Sequence, residues 1–270
     1  MQKIPFVKMH GLGNDFVIIS EDNAPKSVDM SVFVKEIANR NKGVGCDQFI
    51  IYNYDIKTSV AQMEIYNQDG SKALACGNAS RCLSRLLFDI TGAKDITLKV
   101  SDRNFSCEYY SENEIKVDMG AVSFDESWMP SSNELWNLAE RYLIEPKEML
   151  CVDVGNPHLV IFSKLPVQDQ AVIGKEFQNI GLFKDGVNVS FASVEDNKIH
   201  LKVWERGTGF TYACGSGAVA SFAAANKLGF ANNDASIMFA LGGLKMKKDG
   251  QNISITGPAS YVFFGEYIYD

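Results

Sequence analysis

The chain has 270 residues, 46% hydrophobic and 22% charged, with a formal net charge of −7. That length allows one large domain or two ordinary ones, and the composition is that of a globular protein. No apolar run is long enough to span a membrane, and the acidic balance without a basic cluster argues against a nucleic-acid partner.

The opening, MQKIPFVKMHGLGNDF, reads as an apolar strand run without the core or cleavage site of a signal peptide, so a cytoplasmic protein is expected. Phe16–Ser20 reads as a strand, Ser31–Arg40 as a helix, and Phe49–Tyr54 and Gln62–Tyr66 as strands. The segment GNASRCLSRLLFDI, from Gly77 to Ile90, has small residues followed by apolar positions at helical spacing. It predicts a helix that begins just after Cys76. Ile96–Val100 and Ile115–Asp118 read as strands. SFDESWMPSSNELW gathers Ser, Pro and Asn and reads as a linker. Further on, GSGAVASFAAANKL, from Gly215 to Leu228, predicts a second helix, small and apolar throughout and therefore buried. Ser236–Phe239, Leu244–Lys247 and Asn252–Ile255 read as strands.

Several phrases occur twice. LACGNAS ends at Ser80 and YACGSGA at Ala218, and Cys214 follows Cys76 by 138 positions. QMEIYNQDGSKALACG matches HLKVWERGTGFTYACG, setting Asn67 against Glu205. HGLGNDFVIIS matches DVGNPHLVIFS at an offset of 142, and GVGCDQFIIY matches KDGVNVSFAS, with Gln48 opposite Asn188, at 140. Three segments in one order at nearly one offset predict two copies of one fold. The expected class is α+β: two pseudo-symmetric lobes, each a curved, barrel-like, mostly antiparallel sheet around a central helix. The first lobe covers 1–119, joined by the terminal strand 261–270, and the second covers 120–260.

A cysteine just before a helix meets unpaired backbone N–H groups and the positive end of the macrodipole, which favour its thiolate. The same N–H groups, at Gly77–Asn78 and at Gly215–Ser216, suit a carboxylate, and glycine leaves room for its approach. Pseudo-twofold symmetry predicts both cysteines at one interface, where one thiolate removes an α-proton and the other thiol returns one to the opposite face. That is a racemase or epimerase, and it needs no cofactor. Cys76 and Cys82, the closest cysteine pair, have five residues between them, not the spacing of a zinc site, and no metal is expected. Taken alone, each cysteine reads as a buried structural thiol, and Cys46, Cys82, Cys107 and Cys151 are left there.

The motifs FVKMHGLGNDFVII, NQDGSKALACGN-x-x-RC, DVGNPH and ERGTGFTYACGSGA closely resemble those of the diaminopimelate epimerases, from Phe6 to about Ala220, and the tail GPASYVFFGE fits as well. The resemblance implies interconversion of LL- and meso-diaminopimelate, without a cofactor, on the route to lysine and peptidoglycan. It implies that Cys76 and Cys214 are the acid/base thiols and that Gly77, Asn78, Gly215 and Ser216 bind the carboxylate at the reacting carbon. Asn14, Gln48, Asn67, Asn156, Asn188, Glu205 and Arg206 would line the rest of the pocket, with His158 and Glu205 tuning the thiols. Arg206 offers a planar fork to a carboxylate and Glu205 meets an ammonium. Members are often homodimers, and the apolar tail YVFFGEYIY is the candidate contact. Two positions depart from the family pattern, Ala79 and Phe210, where glycine and glutamate are usual; altered packing is expected at both.

The nearest rivals are proline racemase-like and phenazine-type isomerases of the same fold. The set Asn67, Asn188, Glu205 and Arg206 favours a substrate with a second amino-carboxylate end. Two further readings are a thiol redox protein and an amino-acid-binding module, and solvent exchange at the substrate α-carbon separates both from an epimerase.

Overall fold

The opening apolar run is strand β1 (Gln2–Gly11), which turns through Leu12 and Gly13 into β2 (Asn14–Ser20). Both turn residues have positive φ, 55° and 86°, the geometry that suits the twist of a two-residue hairpin. A leucine there is strained, and its side chain is buried. The turn fixes Asn14 as the first residue of β2. The computed structural model describes every residue except Ser27, Leu74, Ala75, Asp185 and Asp270. Leu74 and Ala75 of the first cysteine phrase, Asp185 of the matched loop and Asp270 of the expected terminal strand therefore lie outside the described residues.

Helix α1 (Met30–Ile37) starts at Asp29, whose carboxylate accepts from the Ser31 amide. It ends three residues before the expected Arg40. The loop that follows folds back instead, with Gly45 N and Cys46 N donating to the carbonyls of Ile37 and Ala38. Gly43 is required there, since a Cβ would lie 2.2 Å from the Glu36 carbonyl oxygen. Then come β3 (Gln48–Asp55), β4 (Val60–Asn67), the short β5 (Lys72–Ala73), α2 (Gly77–Thr91), β6 (Asp95–Val100), β7 (Arg103–Ser111) and β8 (Glu114–Ala121).

In the second half, the expected linker holds helix α3 (Ser132–Arg141), opened by a capping box between Ser131 and Glu134. The linker residues Trp128, Met129 and Leu135 pack on a core of Leu159, Ile161, Phe177 and Phe191, and Trp128 Nε1 donates to Asp153 at 2.7 Å. There follow β9 (Met149–Asp153), β10 (Pro157–Phe162), α4 (Val167–Asn179), β11 (Asn188–Glu195), β12 (Lys198–Glu205), β13 (Gly209–Thr211), α5 (Gly215–Lys227), β14 (Asp234–Phe239), β15 (Gly242–Asp249), β16 (Asn252–Gly257) and β17 (Ser260–Tyr269).

The chain divides into two compact units, Met1–Asp118 with Thr256–Asp270, and Met119–Ile255. In the first, pairing runs β17, β1, β2, β3, β4, β6, β7, β8, and only β2–β3 and β4–β6 are parallel. In the second it runs β9, β10, β11, β12, β14, β15, with β10–β11 and β12–β14 parallel. Strand for strand, from β1 and from β9, order and sense are the same. Each unit is a mixed, mostly antiparallel curved sheet on a helix. Helix α2 packs on β1, β2 and β7, and α5 packs on β9, β10, β11, β12, β14 and β15. Phe222 of α5 is fully buried, and such a side chain contributes about 2–3 kcal/mol. Among the described residues, no helix is long and apolar enough to cross a membrane.

Candidate active site

In the first unit, Cys76 is the N-cap of α2, and its sulfur accepts from the Ala79 amide at 3.5 Å. The side chain of an ordinary cap is an oxygen acceptor. A thiol in that role puts its sulfur among the free amides of the first turn. Asn14, at the head of β2, places Oδ1 3.7 Å from Cys76 Sγ and 3.0 Å from Asn78 Nδ2. Its own Nδ2 donates to Asp47 at 3.1 Å. Behind it lies a charged cluster, with Asp15 accepting two hydrogen bonds from Arg40 and pairing with buried Lys8 at 2.6 Å. Burial alone raises the Asp15 pKa, but the bonds from Arg40 and Lys8 outweigh it and hold the carboxyl well below the usual range. The cluster keeps Asn14 in one orientation.

Gln48 and Asn67 are cross-strand partners on β3 and β4, joined by a 3.1 Å bond from Gln48 Nε2 to Asn67 Oδ1. Asn67 Nδ2 donates to Ser71 at 3.1 Å. Gln48 Oε1 is buried and has no hydrogen-bond partner among the described residues. A buried, unpaired acceptor is costly, and an arriving ammonium donor would satisfy it.

In the second unit, Cys214 is the N-cap of α5, 7% exposed, and its sulfur accepts from the Gly217 amide at 3.4 Å. Ser216 Oγ lies 3.5 Å from that sulfur and 3.0 Å from His158 Nε2, which is also 3.2 Å from Asn156 Oδ1. His158 is fully buried; desolvation first, and then the Arg206 charge, pull its pKa down to about 3. It is therefore a neutral hydrogen-bonding group, not a proton donor to solvent. Asn188 is bound at both ends, Nδ2 donating to Pro157 O at 2.9 Å and Oδ1 accepting from Arg206 N at 2.9 Å. It fixes the backbone at Arg206, whose side chain is exposed. Glu205 Oε1 accepts from Thr211 Oγ1.

The residues expected from the sequence thus fall into two sets, Asn14, Gln48, Asn67, Cys76, Gly77 and Asn78 in one unit, and Asn156, His158, Asn188, Glu205, Arg206, Cys214, Gly215 and Ser216 in the other. The other four cysteines are buried. Burial pushes the thiols of Cys46, Cys82 and Cys151 up to about 12 and that of Cys107 higher still. Phe210 packs edge-on against Trp204, with ring centroids 5.1 Å apart, and tilted against Phe191 at 6.4 Å. Ala79 is fully buried. Asp15, Asp47 and Arg81 were not singled out from the sequence. Arg81 carries a readable signal, a charge in a buried helix with no acid three or four residues away.

Two units of this kind, each a curved sheet on a helix that begins at a cysteine, make a fold that solved structures share. A hydroxyproline epimerase from Agrobacterium vitis has the same architecture, with a TM-score of 0.72 over 98% of this chain and 91% of that one, at 10% identity. At the level of sequence, the family model described as "Diaminopimelate epimerase" matches residues 6–124 and 150–262. A diaminopimelate epimerase from Rickettsia bellii (strain OSU 85-389) is 55% identical over 265 residues, 98% of each chain. Another, from Rickettsia akari (strain Hartford), is 54% identical over 270 residues, 100% of this chain and 99% of its own. The chain belongs to the diaminopimelate epimerase family, and it is an isomerase.

Proposed function

We propose that Cys76 and Cys214 are the two bases by which this chain interconverts LL- and meso-diaminopimelate, a step toward lysine and peptidoglycan precursors. One thiolate removes the α-proton while the other cysteine, as a thiol, delivers a proton to the opposite face; the roles exchange in the reverse direction. The C–H bond breaks and its electron pair spreads into the carboxylate, whose developing charge is opposed by first-turn backbone amides such as those beside each cysteine. Each such preorganised donor contributes on the order of 3 kcal/mol in comparable sites. No redox change and no group transfer is needed.

The observation that carries this reading is the repeated geometry at the two helix starts, where each sulfur receives a backbone N–H of its own first turn, at 3.5 and 3.4 Å. Four other cysteines in the chain lack that position and are held as neutral thiols. Gln48, with its unpaired carbonyl, suits a substrate ammonium, and the exposed Arg206 fork suits the distal carboxylate. We read Asn188 as a substrate contact only through its remaining N–H, since its other groups hold the backbone. The chain is taken to work in the cytoplasm, as a homodimer through the exposed Val262, Phe263 and Phe264 of β17. The test of function is chiral chromatography after incubation of the reduced protein with LL-diaminopimelate. Appearance of the meso form supports the reading, and tight binding without conversion would sink it.

A further inference from the structure

Arg81 is the largest fully buried side chain of the protein. Among the described residues no carboxylate lies within ion-pair distance of it. Its guanidinium instead donates to three neutral acceptors, Asn78 Oδ1 at 2.7 Å, Pro258 O at 3.2 Å and Gly77 O at 3.3 Å. Two of these belong to the first turn of α2. Asn78, itself fully buried, passes the contact on to Asn14 Oδ1, which touches Cys76 Sγ. Space for the pair is made across the sheet by Gly11, where a Cβ would lie 3.1 Å from Arg81 Nη2 and 3.3 Å from Asn78 Cβ.

A buried charge without a counter-ion is among the more costly features a fold can keep. The second unit shows that the helix does not need it, because the position matched to Arg81 at the cysteine offset is Val219, apolar and fully buried. What Arg81 has beside it is the first turn that carries Cys76. The other titratable groups around it are Cys82 on α2 and Cys107 on β7, both held neutral by burial. Beyond Asn14 lie Asp15 and Asp47, already matched by Lys8 and Arg40.

We propose that Arg81 is a positioning residue for Cys76: it locks Asn78 and Asn14 against the sulfur and supplies the fixed positive charge that the thiolate answers. At the matched position of the second unit, Val219 supplies no such cation. Burial works against the arginine's own charge; of the neighbouring thiols Cys82, Cys76 and Cys107, burial holds Cys82 and Cys107 neutral, which leaves Cys76 to answer it.

This inference rests on Cys76 being an acid/base thiol, and the experiment separates the two claims. The full-length protein and its Arg81→Met, Arg81→Gln and Arg81→Lys variants are alkylated with iodoacetamide across pH. Labelling of Cys76 and Cys214 is read separately by peptide mass, beside kcat and KM. In Arg81→Gln and Arg81→Met, the Cys76 midpoint is expected to move up by about a unit, slowing its labelling at neutral pH by up to about tenfold, while Cys214 labelling is unchanged. Arg81→Lys is expected to keep the midpoint near that of the parent but to lose kcat through the loosened Asn78. If Arg81→Met does not fold, Arg81→Gln, which keeps a donor for Asn78, reads the same midpoint. An unchanged Cys76 midpoint in the neutral variants would overturn the inference. Epimerase activity surviving in Cys76→Ala would instead overturn the reading beneath it.

Discussion

His158 Nε2 lies 3.0 Å from Ser216 Oγ, and Ser216 Oγ lies 3.5 Å from Cys214 Sγ, so a buried imidazole is linked to the thiol through one hydroxyl. Because burial holds that imidazole neutral, the ring does not gain a proton and the link does not change charge when the pH changes near neutrality.

The same burial makes His158 an acid-sensitive point. Its pKa is near 6.5 when unfolded and about 3 when folded. The unfolded chain therefore binds a proton that the folded chain refuses, so stability is complete above pH 6.5 and is lost progressively as pH falls toward 3. His158→Gln is expected to be less stable than the parent at pH 7. Urea denaturation is expected to show that gap narrowing by at least about 1 kcal/mol between pH 7 and pH 4. A gap constant with pH contradicts the assignment.

Gly217 is held to hydrogen by its neighbours. A Cβ there would lie 2.8 Å from Val203 Cγ2 and 3.3 Å from Cys214 Sγ. Gly217→Ala is expected to cost about 1–3 kcal/mol and, by displacing the sulfur, to lower kcat at least about tenfold. Thermal melts and steady-state rates check both. The matched position in α2 is Ala79, which is accommodated, so Ala79→Gly is expected to leave kcat nearly unchanged.

Gln48 carries an unpaired buried carbonyl. Gln48→Met removes that orphan acceptor without leaving a void but also deletes the bond from Nε2 to Asn67 Oδ1, so stability is expected to stay within about 1 kcal/mol of the parent. The KM for diaminopimelate is expected to rise on the order of tenfold. Unchanged KM in the folded variant removes Gln48 from the binding set.

Phe210 rests its ring on Trp204 and Phe191. Phe210→Glu is expected to lower stability by about 1–2 kcal/mol, the value of two aromatic contacts, and to give no gain in rate. A rise in kcat on this substitution shows that the position acts on the chemistry.

Much of this was legible from the chain. The small residues after Cys76 and Cys214 marked both helices, and the starts at Gly77 and Gly215 agree with that reading. The repeat of GVGCDQFIIY as KDGVNVSFAS matched Gln48 with Asn188, and the two residues head β3 and β11. Helix α3 was hidden by its Ser- and Pro-rich entry, although Ser131 and Glu134 spell a capping box. Helix α4 begins after Pro166 without a side-chain cap and gave no start signal. The support under Asn14 was not readable, because Lys8, Asp15, Arg40 and Asp47 meet only when three separate elements fold together.

The central claim is that two thiols exchange one α-proton with solvent from opposite faces. It is tested most directly by incubating the reduced protein with LL-diaminopimelate in D2O and following stereochemistry and deuterium at the α-carbon, beside Cys76→Ala and Cys214→Ala. Conversion to the meso form with deuterium at that carbon, abolished as epimerisation in each single variant, is the predicted result. Epimerisation that persists in either variant, or conversion without deuterium uptake, would contradict it.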